Sequence, residues 1–214
     1  MASILKVDTI QDQSGNNIIN ENADTITIGA SGDTINVVGT LQNNGAAVGG
    51  TMTPAFEGYL GTDGGQTVAN ATWTTVAIET EIYDTNGCYN NTGSTVTLNG
   101  ISVPAYTFLP NVAGKYLVYG SVLSDTGTDS NINYVGAALY KENGNIISQT
   151  RNSFEANPVR QGYVTIQAVL DMNGTTNSVQ LRGRISAANG SGMLFEGYPQ
   201  WRRATYFGAY KIIE

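Results

Sequence analysis

The sequence predicts an all-β protein: a short-stranded N-terminal segment followed by a β-sandwich. Three observations point there. Apolar residues recur with a period of two. Asn, Thr, Gly and Ser fill the polar positions, and charged residues are only 13%, a balance that suits strands and turns and suits long helices poorly. Turn signals separate the alternating runs at short intervals.

The chain has two parts with different physics. Residues 1–50 contain no Phe, Tyr, Trp or Pro, and all nineteen aromatics and five prolines follow. The stretch Asn43-Asn44-Gly45-Ala46-Ala47-Val48-Gly49-Gly50 reads as the linker, which puts the domains at 1–50 and 51–214. Within the first part, "DTITIGASGDTINV" (Asp24 to Val37) alternates Ile with Thr in pieces of three or four residues. Such short strands, with no aromatic or helix to lie on, leave one face wet. The thirteen Ile, Leu and Val residues of this part need surface from other copies of the chain, or the segment stays unfolded.

In the second part, Trp73 to Ile82 reads as one strand with Val76, Ile78 and Ile82 on one face and Glu79 and Glu81 on the other. Lys115 to Leu123 is apolar at nearly every position and predicts a strand covered on both sides. Tyr134 to Tyr140 runs into Lys141-Glu142-Asn143-Gly144-Asn145, a hairpin turn. Tyr163 to Met172 places Val164, Ile166, Ala168, Leu170 and Met172 on one face. Ser178 to Ser186 places Val179, Leu181 and Ile185 opposite Gln180, Arg182 and Arg184. Ala204 to Ile213 closes the chain. Seven to nine strands over about 160 residues predict a jelly roll.

Composition narrows the function classes. Net charge is −7, and the ten basic residues are scattered, so no nucleic-acid-binding face is expected. No apolar run is long enough for a membrane span, and the N-terminus lacks the layout of a signal peptide, so membrane insertion is not expected and folding in a cytoplasm is. Histidine is absent, which removes Ser-His-Asp and Cys-His catalysis and imidazole zinc sites. Cofactor fingerprints are absent too, so no cofactor is expected. Cys88 is the only cysteine and reads as an inert free thiol.

Two stretches resemble known families. "ILKVDTIQDQSGN" with "ITIGASGDTINV" resembles the N-terminal stalk of fibre proteins from marine bacteriophages, including cyanophages. That resemblance covers about the first 50 residues and implies a segment that attaches the fibre to other virion proteins and begins a trimer. "YTFLPNVAGKYLVYG" resembles the most recognisable stretch of the C1q/TNF-like jelly roll, with Phe108, Pro110, Gly114 and Tyr116 in the motif places. Phe56 resembles that family's opening aromatic, and Phe207-Gly208 its closing strand, although the Pro-to-Gly and Phe-Gly spacings depart from the usual ones. The resemblance implies a head that associates about a threefold axis.

Each candidate site has a bland counterpart. Glu79 and Glu81 could serve as paired carboxylates for glycoside hydrolysis, but a solvated sheet face explains them as well. "GMLFEGYPQWRRATYF" gathers Tyr198, Trp201, Arg202 and Arg203, a set suited to stacking sugars and pairing anions, or to packing under the loop. Trp73 is expected in the core or an interface. Asp125 and Asp129 could offer oxygens to calcium but fit no EF-hand loop, and no metal is assigned. The expectation is a homotrimeric virion fibre, on tail or head, that is not an enzyme. Its jelly-roll head would bind host-surface polysaccharide. A freestanding C1q-like or lectin-like module, or a fibre-borne depolymerase, are the alternatives.

Overall fold

The computed structural model describes residues 9–15, 17–22, 25–29, 32–39, 41–43, 46–47, 52–127, 129–190, 193–197 and 203–212. It divides into two compact units, Met1–Gly50 and Thr51–Glu214. Neither contains a helix among the described residues, so none is long and apolar enough to cross a membrane.

In the first unit, β1 (Thr9–Gln11), β2 (Asn17–Asn22) and β3 (Thr25–Ile28) form an antiparallel meander, and β4 (Gln42–Asn43) pairs with β5 (Ala46–Ala47). Register aligns Ile10 with Ile19 and Ile19 with Ile28, a row of isoleucines across three strands. All three are exposed, at 40%, 37% and 52%. Ile18, Ile26, Ile35, Val37, Val38 and Leu41 are exposed as well.

The second unit continues with β6 (Ala55–Tyr59), β7 (Gln66–Thr67), β8 (Thr74–Thr75), β9 (Thr80–Asp84), β10 (Tyr89–Asn90), β11 (Val96–Leu98) and β12 (Ile101–Val103). After these come β13 (Thr107–Phe108), β14 (Gly114–Asp125), β15 (Ile132–Lys141), β16 (Ile146–Ser153), β17 (Gln161–Met172), β18 (Val179–Ala187), β19 (Leu194–Phe195) and β20 (Tyr206–Lys211). One antiparallel sheet runs β7-β19-β14-β20-β6-β9, with β17 on the other edge of β14. The other runs β10-β13-β18-β15-β16, with β8 also on β18. The two face each other across one core, an all-β jelly-roll sandwich.

Aromatics from distant strands meet at the centre of that core. The Phe56 ring stacks on Tyr89 at 4.3 Å and on Phe108 at 4.9 Å, and meets Phe207 edge-on at 5.1 Å. Phe108 in turn meets Tyr116 at 5.7 Å. Each ring buries a large apolar area, and the mixed stacked and edge-on geometry suits the ring quadrupoles.

Two expectations are corrected. Trp73 to Ile82 is not one strand. β8 belongs to one sheet and β9 to the other, and the chain crosses the core edge between them, burying Val76 and Ile78. The crossing is pinned by the Val76 N–H on the Leu181 carbonyl and the Ala77 N–H on Gln66 Oε1. In β9 the register shifts so that Ile82 falls in a bulge between the partners of Glu57 and Gly58, which turns it out to 37% exposure. The second correction concerns β14. Tyr116, Val118 and Val122 are buried, but Leu117, Tyr119 and Leu123 on its other side are only half-buried. One chain covers one side of this strand.

Candidate functional site

The uncovered side of β14 belongs to a continuous surface. Tyr119, Tyr206 and Tyr210 cluster on it, with ring centroids 6.3 and 6.2 Å from Tyr119. β17 alternates strictly, so Tyr163 and Val169 stand out at 46% and 57% exposure while Val164 and Ile166 are buried. A depression of about 610 Å³ lies here, lined by Leu117, Tyr119, Thr165, Gln167, Tyr206 and Tyr210. Gly208 makes the cluster possible. A Cβ at that position would come within 2.6 Å of the Tyr119 ring. Burial, then the hydrogen bond to Glu57, pushes the Tyr119 hydroxyl up. Burial, then Tyr163, does the same to Tyr206.

Of the four candidates in the predicted sugar-stacking loop, Arg203 alone is among the described residues. Tyr198, Trp201 and Arg202 lie outside the described residues. Arg203 is engaged: its Nη1 stands 3.6 Å from Glu57 Oε1, and its guanidinium lies over Tyr59 at 5.5 Å. Antiparallel pairing sets Ala55 against Tyr210 and Tyr59 against Tyr206. The start of β6 and the end of β20 therefore share one end of the sheet, and Arg203 leads into its opposite end.

The family-motif residues take structural places. Phe56, Phe108, Tyr116 and Phe207 form the aromatic centre described above, and Pro110 is buried. Tyr116 donates its hydroxyl to the Val112 carbonyl at 2.7 Å, which closes the entry to β14. Gly114 there has φ +148°, a conformation that side chains rarely adopt.

The two carboxylate candidates stand in different environments. Glu79 lies in the crossing before β9 and accepts the Gly61 N–H at 3.0 Å and the Thr62 hydroxyl at 2.7 Å. Glu81 stays on the strand, its carboxyl raised by partial burial and by Asp84. Asp125 is tied into the fold, accepting from Gln161 Nε2 at 2.6 Å and the Gly127 N–H at 2.7 Å, with Arg160 Nε at 3.4 Å. Burial pushes its carboxyl up, but these hydrogen bonds outweigh that and hold it low. Among the described residues no three His, Cys, Asp or Glu side chains come together as metal ligands. Cys88 is buried, with Sγ 3.2 Å from Asp84 Oδ1, and burial pushes its thiol far up.

One set was missed from sequence. On the outward face of β15 and β18, Arg182 lies over the Tyr140 ring at 4.2 Å and Arg184 over Tyr134 at 5.3 Å. Trp73, entering β8, meets Tyr140 edge-on at 6.1 Å. A Cβ on Gly136, between the two tyrosines, would come within 3.0 Å of the Trp73 ring, so its absence lets the indole approach the backbone there. The legible signal was the outward alternation of Gln180, Arg182 and Arg184 against that of Tyr134 and Tyr140. Their pairing depends on register.

No protein-family model and no curated protein matches the chain. Solved structures similar to it include the globular domain of zebrafish complement 1qA protein, at 12% identity and TM-score 0.48, with 76% of this chain and 99% of that chain covered. Murine APRIL at pH 5.0 is similar at 13% identity and TM-score 0.47, covering 74% and 98%. Eiger TNF from S. frugiperda is similar at 14% identity and TM-score 0.46, covering 75% and 92%.

Proposed function

We propose that the protein is a homotrimeric virion fibre, a structural binding module without enzymatic activity, whose 1–50 segment attaches to other virion proteins and whose head meets the host surface. The observation that carries this reading is the exposed row Ile10–Ile19–Ile28. Hydrogen-bonded strands with uncovered isoleucines need another apolar surface, and identical copies supply it in matching register. The outward face of β14, β17 and β20 makes the same demand of the head, since Leu117 and Tyr119 are only half-buried and Val169 is exposed in one chain. The threefold stoichiometry follows the stalk and jelly-roll resemblances of the sequence. Three heads on one stalk turn weak polysaccharide contacts into avid attachment.

Sedimentation equilibrium of the full chain tests the assembly. The expected mass is three times that of one chain, and a compact monomer at all concentrations overturns it. Detection of the protein in purified phage particles tests the virion role, and its recovery from supernatant alone overturns that part.

A further inference from the structure

We infer that the outward face of β8, β18, β15 and β16 is a binding platform for acidic, uronate-bearing polysaccharide; this rests on the host-surface reading above and gives that reading a place and a ligand class. The aromatic part is Trp73 with Tyr134, whose side chains close together over Gly136 where a Cβ would meet both, beside the buried Tyr140. The cationic part is Arg182 and Arg184. Register sets Arg184 and the exposed Arg151 on either side of Gly136, so a third guanidinium extends the row.

These arginines are oriented but not neutralised. Gln180 Oε1 accepts from Arg182 Nε at 3.3 Å and Nη2 at 2.9 Å. Gln180 is itself fixed, donating through Nε2 to the Ala105 carbonyl and to Thr107 Oγ1, each at 3.0 Å. Arg184 Nε is buried with no hydrogen-bond partner among the described residues. Among those residues no carboxylate forms an ion pair with Arg182, Arg184 or Arg151. In a chain of net charge −7, a face with three uncompensated guanidiniums marks the place where an anion fits.

A polar pocket of about 210 Å³ adjoins the row, with Lys141, Gln180 and Arg182 in its wall. Its one carboxylate, Glu142, is taken up by the Ser178 N–H at 3.1 Å and Asn177 Nδ2 at 3.4 Å. The chemistry fits a sugar polymer that offers both an apolar ring face and a carboxylate. Ring faces stack on Trp73 and Tyr134, and carboxylates take paired N–H donors from arginine. A neutral glucan would leave the arginines unused, and a nucleic acid would need a larger basic surface than this one.

Affinity electrophoresis and calorimetry of the full chain against polygalacturonate, dextran and single-stranded DNA test this. The expected result is binding to polygalacturonate only, weakened between about 0.02 and about 0.5 M salt. Arg182→Gln with Arg184→Gln should lose about tenfold or more in affinity while assembly mass and melting temperature hold. Equal retention of dextran, preference for DNA, or polygalacturonate binding unchanged in the double variant overturns the assignment. So does the absence of any binding by chains that still assemble and still adsorb to host cells, an outcome that leaves the fibre reading intact.

Discussion

Tyr119 Oη donates to Glu57 Oε2 at 2.6 Å on the uncovered face of the β14 sheet, with Arg203 on the other oxygen of the same carboxylate. A buried-type hydrogen bond thus sits on a surface that a single chain leaves open. Its neighbours Tyr206 and Tyr210 are half-buried, each with its ring against that of Tyr119. On the trimer proposed above, this is a face that another copy would cover.

Val169→Lys tests that face directly. The side chain is 57% exposed in one chain, so the head should fold with stability changed by no more than about 0.5 kcal/mol. Assembly of the head should fail, because a strongly hydrated ammonium would have to enter an apolar contact. Light scattering on the variant reads the loss. A trimer with unchanged dissociation would place the contact elsewhere.

Gly208→Ala should separate the Tyr119 ring from its seat. The added Cβ comes within 2.6 Å of that ring, and overpacking of this kind costs about 1–3 kcal/mol. Combining it with Tyr119→Leu removes the obstructing ring and should recover part of the melting temperature. No recovery would mean that the backbone of β20, not the ring, takes the strain.

Phe56→Ala empties the centre of the core. Three ring contacts within 5.1 Å disappear together, and the expected cost is about 3–5 kcal/mol, read from the urea midpoint. A cost near that of a surface substitution would contradict the packing described.

Alkaline pH should unfold the head by way of its tyrosines. Burial pushes Tyr116 from 10.0 to about 12, and Tyr89 also stands well above its ordinary value, first through burial. Each hydroxyl therefore holds its proton more tightly folded than unfolded. The stabilisation is whole below pH 10 and is lost as pH rises toward about 12. Tyrosinate absorbance from this buried pair should rise only with loss of native circular dichroism. A smooth titration of all tyrosines with the fold retained would refute the burial.

Cys88 offers a probe of the same core. With its thiol buried and pushed far up, it should resist thiol reagents in the native state and label in urea with the unfolding transition. Fast native labelling would show that the region around Asp84 opens.

Much of the head was legible because alternation is local. Backbone geometry sends successive side chains to opposite faces, so Val164 and Ile166 declare themselves inward and Tyr163 and Thr165 outward without knowledge of any neighbour. Val179, Leu181 and Ile185 did so too. The turn at Lys141 to Asn145 was equally local, closed by the Gly144 N–H on the Lys141 carbonyl. β11 and β12, joined through Asn99-Gly100 with positive φ at both, carried the same kind of signal and went unread. β16 carried little, because after Ile146 and Ile147 its outward and inward positions are both polar at the sheet edge.

The sequence by itself determined the all-β character, the faces of the long strands and the contrast at residue 50, all properties of neighbours along the chain. Tertiary structure alone decided that residues 74–84 divide between two sheets, that Arg203 reaches Glu57, and that Trp73 lies across Gly136 beside Arg182. Those are matters of register between strands far apart in the chain, and a register shift of one residue would have turned every one of those side chains to the other face.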